Sequence, residues 1–260
     1  MLDFTFFAGL ALYFIGMILS FFARTKEKLQ KISWLLFLAG FAFETLYIFM
    51  RGIQAGRVPM SNQFEFAAMF SFGIALILVI LHYRNRLAWL ETIGMIMVWG
   101  ILLYASTQPR DIEELMPALR SVWFVTHIGS AAFSYACFML AGACGIRYIL
   151  TVRKDPKDAK LVQMDYFMYR LIAIGLLLLT VTIVIGAVWA EEAWSAFWTW
   201  DPKEVWALIT WILYAIYLHL RLNRRKSGTF LAWYAIISIP VVLFTFIGVN
   251  TLIPGLHSYG

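Results

Sequence analysis

Residues 189–221 read WAEEAWSAFWTWDPKEVWALITWILYAIYLHLR, and six of the chain's 11 tryptophans lie within 23 of these positions: Trp189, Trp194, Trp198, Trp200, Trp206 and Trp211. Indoles gather at membrane headgroups in any case, but such a belt is spread over all helix ends. Here they crowd one segment, interleaved with Glu191, Glu192, Asp201 and Glu204. That mixture suits a flat, largely apolar ligand with polar edges, such as a porphyrin or quinone ring. The histidines His82, His127, His219 and His257 offer the matching chemistry. Imidazole commonly holds haem iron, and two axial ligands must approach opposite faces of the ring. His127 follows Trp123 at the start of one apolar run, and His257 lies just past the end of the last. Both fall on the tryptophan side, so they could take the two faces of one ring; interfacial packing is the plainer alternative for each. His219 follows Pro202 by 17 residues, so a continuous helix carries it about 26 Å across a core of about 30 Å. On its own it reads as an interfacial histidine beside Arg221. His82, in LHYRNR (81–86), reads as an ordinary basic helix end. No nucleophile with a positioned base, phosphate-binding glycine loop or H-E-x-x-H zinc spacing is visible. The chain has no C-x-x-C-H, so it does not itself receive covalent haem.

The elements that must position these residues follow from composition. The chain has 260 residues, 62% hydrophobic and 14% charged, with a mean hydropathy of +0.77. Soluble domains run nearer half apolar and a quarter charged. The composition excludes a disordered, collagenous or disulfide-stapled chain and predicts an all-α polytopic membrane protein. Runs of about 20 apolar residues, the length a span needs, fall near 4–23, 33–50, 64–82, 87–106, 122–150, 169–190, 204–221 and 229–252. The first has Asp3 ahead of it and its basic cluster behind, unlike a cleaved signal peptide. Only Arg51, Arg57, Arg110, Arg120 and Lys203 of the 21 basic residues then fall in outer segments. Basic residues mark the cytoplasmic side, so both termini are expected on the extracytoplasmic face. The net charge of +6 is thereby a membrane-orientation signal, with no nucleic-acid partner expected. The whole of 1–260 reads as a single membrane domain, with a tryptophan-rich outer loop at about 189–206.

Within that frame Asp201, Pro202 and Glu204 are predicted as N-cap, N1 and N3 of a capping box, fixing the angle at which the loop enters the next helix. Glu44 stands mid-span, where an acid is costly and is expected to be paired or functional; no partner is evident. Arg51, Arg57, Asn62 and Glu65 read as loop-ordering groups or contacts for a carboxylate. Cys137 and Cys144 lie seven residues apart in one helix, about 10 Å along its axis. That is too far for a disulfide, and both are expected to be small packing residues.

The run W-x₃-W-x-W-D-P-K-E-x-W-A-L-I-T-W (194–211), followed by Y-A-x-Y-L-H-x-R (214–221), resembles the tryptophan-rich "WWD" signature of haem-handling proteins. Within that superfamily the chain most resembles CcsA/ResC, the smaller subunit of the system II cytochrome c synthase. GRVPMSNQFE (56–65), GVNTLIPGLHSY (248–259) and the eight spans extend the likeness over most of the chain. Two departures are mild: Ser195 stands where the family often has Gly, and Val205 where Thr is common.

The resemblance implies that His127 and His257 are the axial pair of an externally facing haem b. It implies that His219 is a ligand of a second, membrane-embedded haem, whose axial mate comes from a CcsB/ResB-like subunit; His82, the other inner-side histidine, is the alternative mate by position. Trp194, Trp198, Trp200, Asp201 and Trp206 would then line the ring. It further implies thioether attachment of haem to the C-x-x-C-H of apocytochrome c, in a holocytochrome c synthase complex fed indirectly by thiol-reducing proteins. Placement, rather than acid–base work, would be this chain's contribution. The location implied is the cell membrane, or a thylakoid membrane. Three other classes compete: a haem relay without synthase activity, resembling the shorter CcmC, a haem-binding quinol oxidoreductase subunit, and a structural scaffold that would need none of the histidines.

Overall fold

The computed structural model describes residues 1–22, 26–85 and 87–253. His257 and the rest of 254–260 therefore lie outside the described residues. Among those described there is no strand, and eight helices are long and apolar enough to cross a membrane. They are α1 (Leu2–Phe22), α2 (Glu27–Ala55), α3 (Gln63–Asn85), α4 (Glu91–Ser106), α5 (Val122–Val152), α6 (Lys160–Trp194), α7 (Pro202–Leu222) and α8 (Thr229–Leu243). A 3-10 turn, Ala88–Leu90, leads into α4 and completes its span, while a π-helical turn, Phe244–Gly248, and a last helical turn, Val249–Leu252, continue α8. Every apolar run expected to span the membrane is one of these helices. The helices overrun the runs, however. With 35 residues, α6 is about 52 Å long against a core of about 30 Å, so backbone helicity continues well into the polar margins.

The chain forms two compact units, Met1–Glu114 and Leu115–Gly260. In the first, α1 packs along α2 and against α4, and α3 packs on α4. Polar side chains are buried here at three levels. At one end Arg51 and Arg57 both bind Glu65, at 2.9 and 2.8 Å. Arg51 also donates to the Arg110 and Asp111 carbonyls, while the Asn62 side chain accepts from Glu65 N and caps α3. At mid-helix Glu44, 4% exposed, accepts from the Tyr13 hydroxyl at 2.7 Å and from Ser71. Those are the partners its depth demanded. At the far end His82 Nδ1 lies 2.6 Å from Glu91 and its ring stacks on Trp34 at 3.9 Å. His82 is thus held in a hydrogen bond and an aromatic stack that tie α2, α3 and α4 together.

In the second unit α5 is the central helix, 78% of its spanning window being buried, with α6 and α8 packed on it. Its small residues, among them Ala132, Ala136, Ala141 and Gly142, allow close helix approach, as in other membrane bundles. Cys137 and Cys144 are buried free thiols among them, as expected of packing residues. Ser134 donates across to the Gly175 carbonyl at 2.8 Å, and Phe138 stacks on Tyr214 of α7 at 3.6 Å. The arrangement fixes the register of α5 against α6, on which the position of His127 depends.

Candidate functional site

His127 sits five residues into α5, whose N-cap, Ser121, accepts from Trp123 N at 3.2 Å. Its Nδ1 lies 2.9 Å from the carbonyl oxygen of Thr182 on α6. A carbonyl only accepts, so Nδ1 carries the hydrogen and the neutral ring has its lone pair on Nε2. This is the tautomer, and the kind of backbone partner, that orients metal-ligating histidines. Trp189 lies alongside the imidazole, centroids 5.9 Å apart and planes 25° apart.

Trp189 is itself locked. Buried to 1% exposure, its Nε1 donates to the Ala118 carbonyl at 2.8 Å, and its ring packs against Phe124 and Trp194. The Ser121 hydroxyl donates to Glu192 at 2.7 Å. Two hydrogen bonds thereby stitch the end of α6 to the entry of α5, around the ring of His127.

The tryptophan-rich loop is shorter than the expected 189–206. Helix α6 runs to Trp194, so Trp189 and Trp194 are helical, Trp206 belongs to α7, and the connection is 195–201. Helix propensity and tertiary packing carry α6 past its apolar window, which is all that hydropathy reports. The connection turns through two left-handed residues, Ser195 at φ 55° and Trp200 at φ 60°. A left-handed position is where glycine is at ease, which accounts for the glycine expected at 195; the serine here adopts the same left-handed conformation. The capping box is formed as its sequence predicts. Asp201 accepts from Lys203 N at 2.9 Å, and Glu204 accepts from Asp201 N at 3.1 Å and Thr199 N at 2.8 Å. The Asp201 carboxylate, 5% exposed, thus has a structural occupation.

Around this frame Trp198 and Trp200 meet edge to face at 5.8 Å, and Phe197 and Trp200 stand exposed. Trp206 packs at 4.4 Å on Phe244, the first residue of the π turn, and Thr210 bonds Thr245 within that turn at 3.0 Å. A π turn inside a helix is often found at a functional site. Here it lies between α8 and the last described helical turn, Val249–Leu252.

His219 is on the opposite half of α7. It is exposed, on the face that also presents Ile212 and Ile216, while Tyr214 and Tyr217 on the other face are fully buried. The amide of Asn223, one turn on, lies 2.9 Å from its Nδ1. The structure therefore joins His127 to Trp189 and Trp194, carries Trp198, Trp200 and Trp206 on and beside the capped connection, and sets His219 apart. Sequence reasoning missed Thr182 and Gly186, whose backbone the imidazole lies against; a backbone contact leaves no side-chain signal. Among the described residues no group of three or more His, Cys, Asp or Glu could hold a bare metal ion.

A helical membrane protein with an oriented imidazole beside a capped, indole-rich connection is the class these features define. The family model for the cytochrome c assembly protein matches residues 60–257, and the chain belongs to that family. It is similar to the cytochrome c biogenesis protein CcsA of Synechococcus sp. (strain CC9605), at 32% identity over 98% of this chain and 95% of the relative. It is also similar to CcsA of Guillardia theta, at 32% over 83% of this chain and 81% of the relative. With CcsA of Chlamydomonas reinhardtii it shares 35% identity over 83% of this chain and 64% of the relative. The chain is a multi-pass, membrane-type protein of cytochrome c assembly.

Proposed function

We propose that this chain holds haem b as the substrate of cytochrome c assembly and presents it for covalent attachment. The supporting observation is His127. Its Nδ1–H is given to the Thr182 carbonyl, so the nitrogen suited to iron is Nε2, and its ring is backed by Trp189. His257, four residues beyond the last described residue, is the axial partner in this reading. Trp194, Trp198, Trp200 and Trp206 supply apolar walls, and Asp201 holds the connection that carries them. His219, exposed on α7, is the chain's ligand at a second haem site, completed by a histidine of a CcsB/ResB-like membrane subunit. Both termini face the extracytoplasmic side of the cell or thylakoid membrane, where apocytochrome c arrives.

The chemistry served is addition of a C-x-x-C-H thiol across a haem vinyl group: sulfur bonds one carbon, the thiol hydrogen reaches the other, and no net oxidation occurs. The chain's residues act by placement, holding the ring in one orientation at the membrane edge and excluding water from its face. The test is the optical spectrum of the full chain purified with its partner subunit. Haem with bis-imidazole character is expected, reduced by His127→Ala, by His257→Ala and by both together. Purified complex without haem, or normal occupancy in the double variant, refutes the reading.

A further inference from the structure

We propose that Gly186 is a positioning residue for His127, its missing side chain being the space in which the imidazole lies. The inference rests on His127 being a haem ligand, and it adds what fixes that ligand in place. Thr182, Gly186 and Trp189 are four and then three residues apart on α6, so they share one face. Thr182 offers its carbonyl to Nδ1 at 2.9 Å, and Trp189 lies against the ring at 5.9 Å. Between them, a Cβ on Gly186 would stand 2.6 Å from Nδ1 and 2.7 Å from Cε1 of His127. Ordinary carbon contacts begin at about 3.5 Å, so alanine at 186 must push the ring off the helix by most of an ångström.

The ring cannot give way without losing its partners. It is held at Nδ1 by a backbone atom, and Trp189 behind it is hydrogen-bonded to Ala118. Displacement breaks the Nδ1–H···O bond, which releases the tautomer and the aim of Nε2 together. Gly186 lies within a regular helix, where glycine is disfavoured relative to alanine. What the position exploits is space, since no left-handed backbone is required of it.

Two other glycines in spanning helices make the internal comparison. A Cβ at Gly175 would stand 2.6 Å from Phe138, on the same α5–α6 interface but against a ring with no ligand chemistry. A Cβ at Gly100 would meet nothing within 4 Å.

The experiment titrates haemin into the detergent-purified full-length complex carrying Gly186→Ala, Gly175→Ala, Gly100→Ala or His127→Ala. Spectra are recorded on the monodisperse fraction, so that only folded protein is read. Gly186→Ala is expected to weaken haem retention about 10–100-fold, the cost typical of losing a group that orients a ligand. It is also expected to convert part of the low-spin spectrum to high-spin, with free imidazole restoring the low-spin form. Gly175→Ala should lower the folded yield and leave the spectrum unchanged, and Gly100→Ala should change neither. Wild-type affinity and spectrum in Gly186→Ala, with His127→Ala impaired, overturns the inference while the haem reading stands. Loss of all folded protein in Gly186→Ala, with Gly175→Ala still folded, also overturns it, since the position would then serve packing. An unaltered His127→Ala overturns the haem reading and this inference with it.

Discussion

The capping box at the entry of α7 separates a structural role for Asp201 from contact with a ligand. Asp201→Ala removes the acceptor that Lys203 N uses at 2.9 Å. Such a loss typically costs about 1 kcal/mol, or roughly a fivefold shift between the ordered connection and its frayed forms. Asparagine is as good an N-cap as aspartate, so Asp201→Asn should keep the connection ordered while removing the charge. Glu204→Ala should do more harm, because it takes the acceptor from both Thr199 N and Asp201 N. Losing the two bonds is expected to cost about 2 kcal/mol in total. The assay is the rate of limited proteolysis across 195–201 in detergent, read beside holocytochrome c yield in cells. Cleavage should rise about fivefold in Asp201→Ala, more in Glu204→Ala, and stay near wild type in Asp201→Asn, with yield falling in the same order. If Asp201→Asn lowers the yield as far as Asp201→Ala does, while its connection remains protected, the carboxylate acts on a ligand and the cap is not its main task.

Three further outcomes follow from the first unit. Glu65→Ala leaves Arg51 buried without its counter-charge and should destabilise the protein by about 3–5 kcal/mol. Arg57→Ala should cost less, because Glu65 keeps Arg51 and Ser61; thermal aggregation in detergent orders the two. Tyr13→Phe should cost about 1 kcal/mol through one lost donor to Glu44. The triple change Glu44→Leu, Tyr13→Phe and Ser71→Ala should recover much of the loss seen in Glu44→Leu alone, since it leaves no hydroxyl unsatisfied; midpoints of thermal unfolding compare them. His82→Ala, which removes a hydrogen bond and a stack at the end of α3, should lower stability yet leave the haem spectrum unchanged; a changed spectrum would assign His82 to the second haem site.

What could be read in the sequence was whatever is local along the chain. The capping box at 201–204 is such a feature, because all its atoms lie within four residues, and the structure contains it. The spans are legible for the same reason, each being one continuous apolar run. The length of α6 is not, since its ends at Lys160 and Trp194 lie in polar margins where hydropathy no longer tracks helicity. Pairings between helices were equally out of reach. Glu44 needed a partner by its depth, but Tyr13 is 31 residues away and Ser71 is 27. Nothing in one sequence says which faces of three helices meet. Arg51 and Arg57 illustrate a choice left open between ordering a loop and meeting a carboxylate ligand. Both close on the protein's own Glu65, so their charge is already answered within the unit.

The two histidines of the second unit differ in how far the chain itself prepares them, and that difference bears on the two haem sites proposed above. His127 is fixed by a backbone carbonyl, a bare stretch of helix and a locked indole, none of which belongs to another molecule. A ligand so preorganised holds its geometry whether or not haem is present, which suits the step where orientation decides which edge of the ring meets a thiol. His219 lies exposed on the same stripe of α7 as Ile212 and Ile216, and its polar neighbour among the described residues is the adjustable amide of Asn223. Its aim must be set by whatever covers that face. A loosely held ligand accepts and releases at lower cost than a rigid one, since less ordering is lost on exchange. On the haem reading proposed above, this asymmetry favours entry at His219 followed by retention at His127.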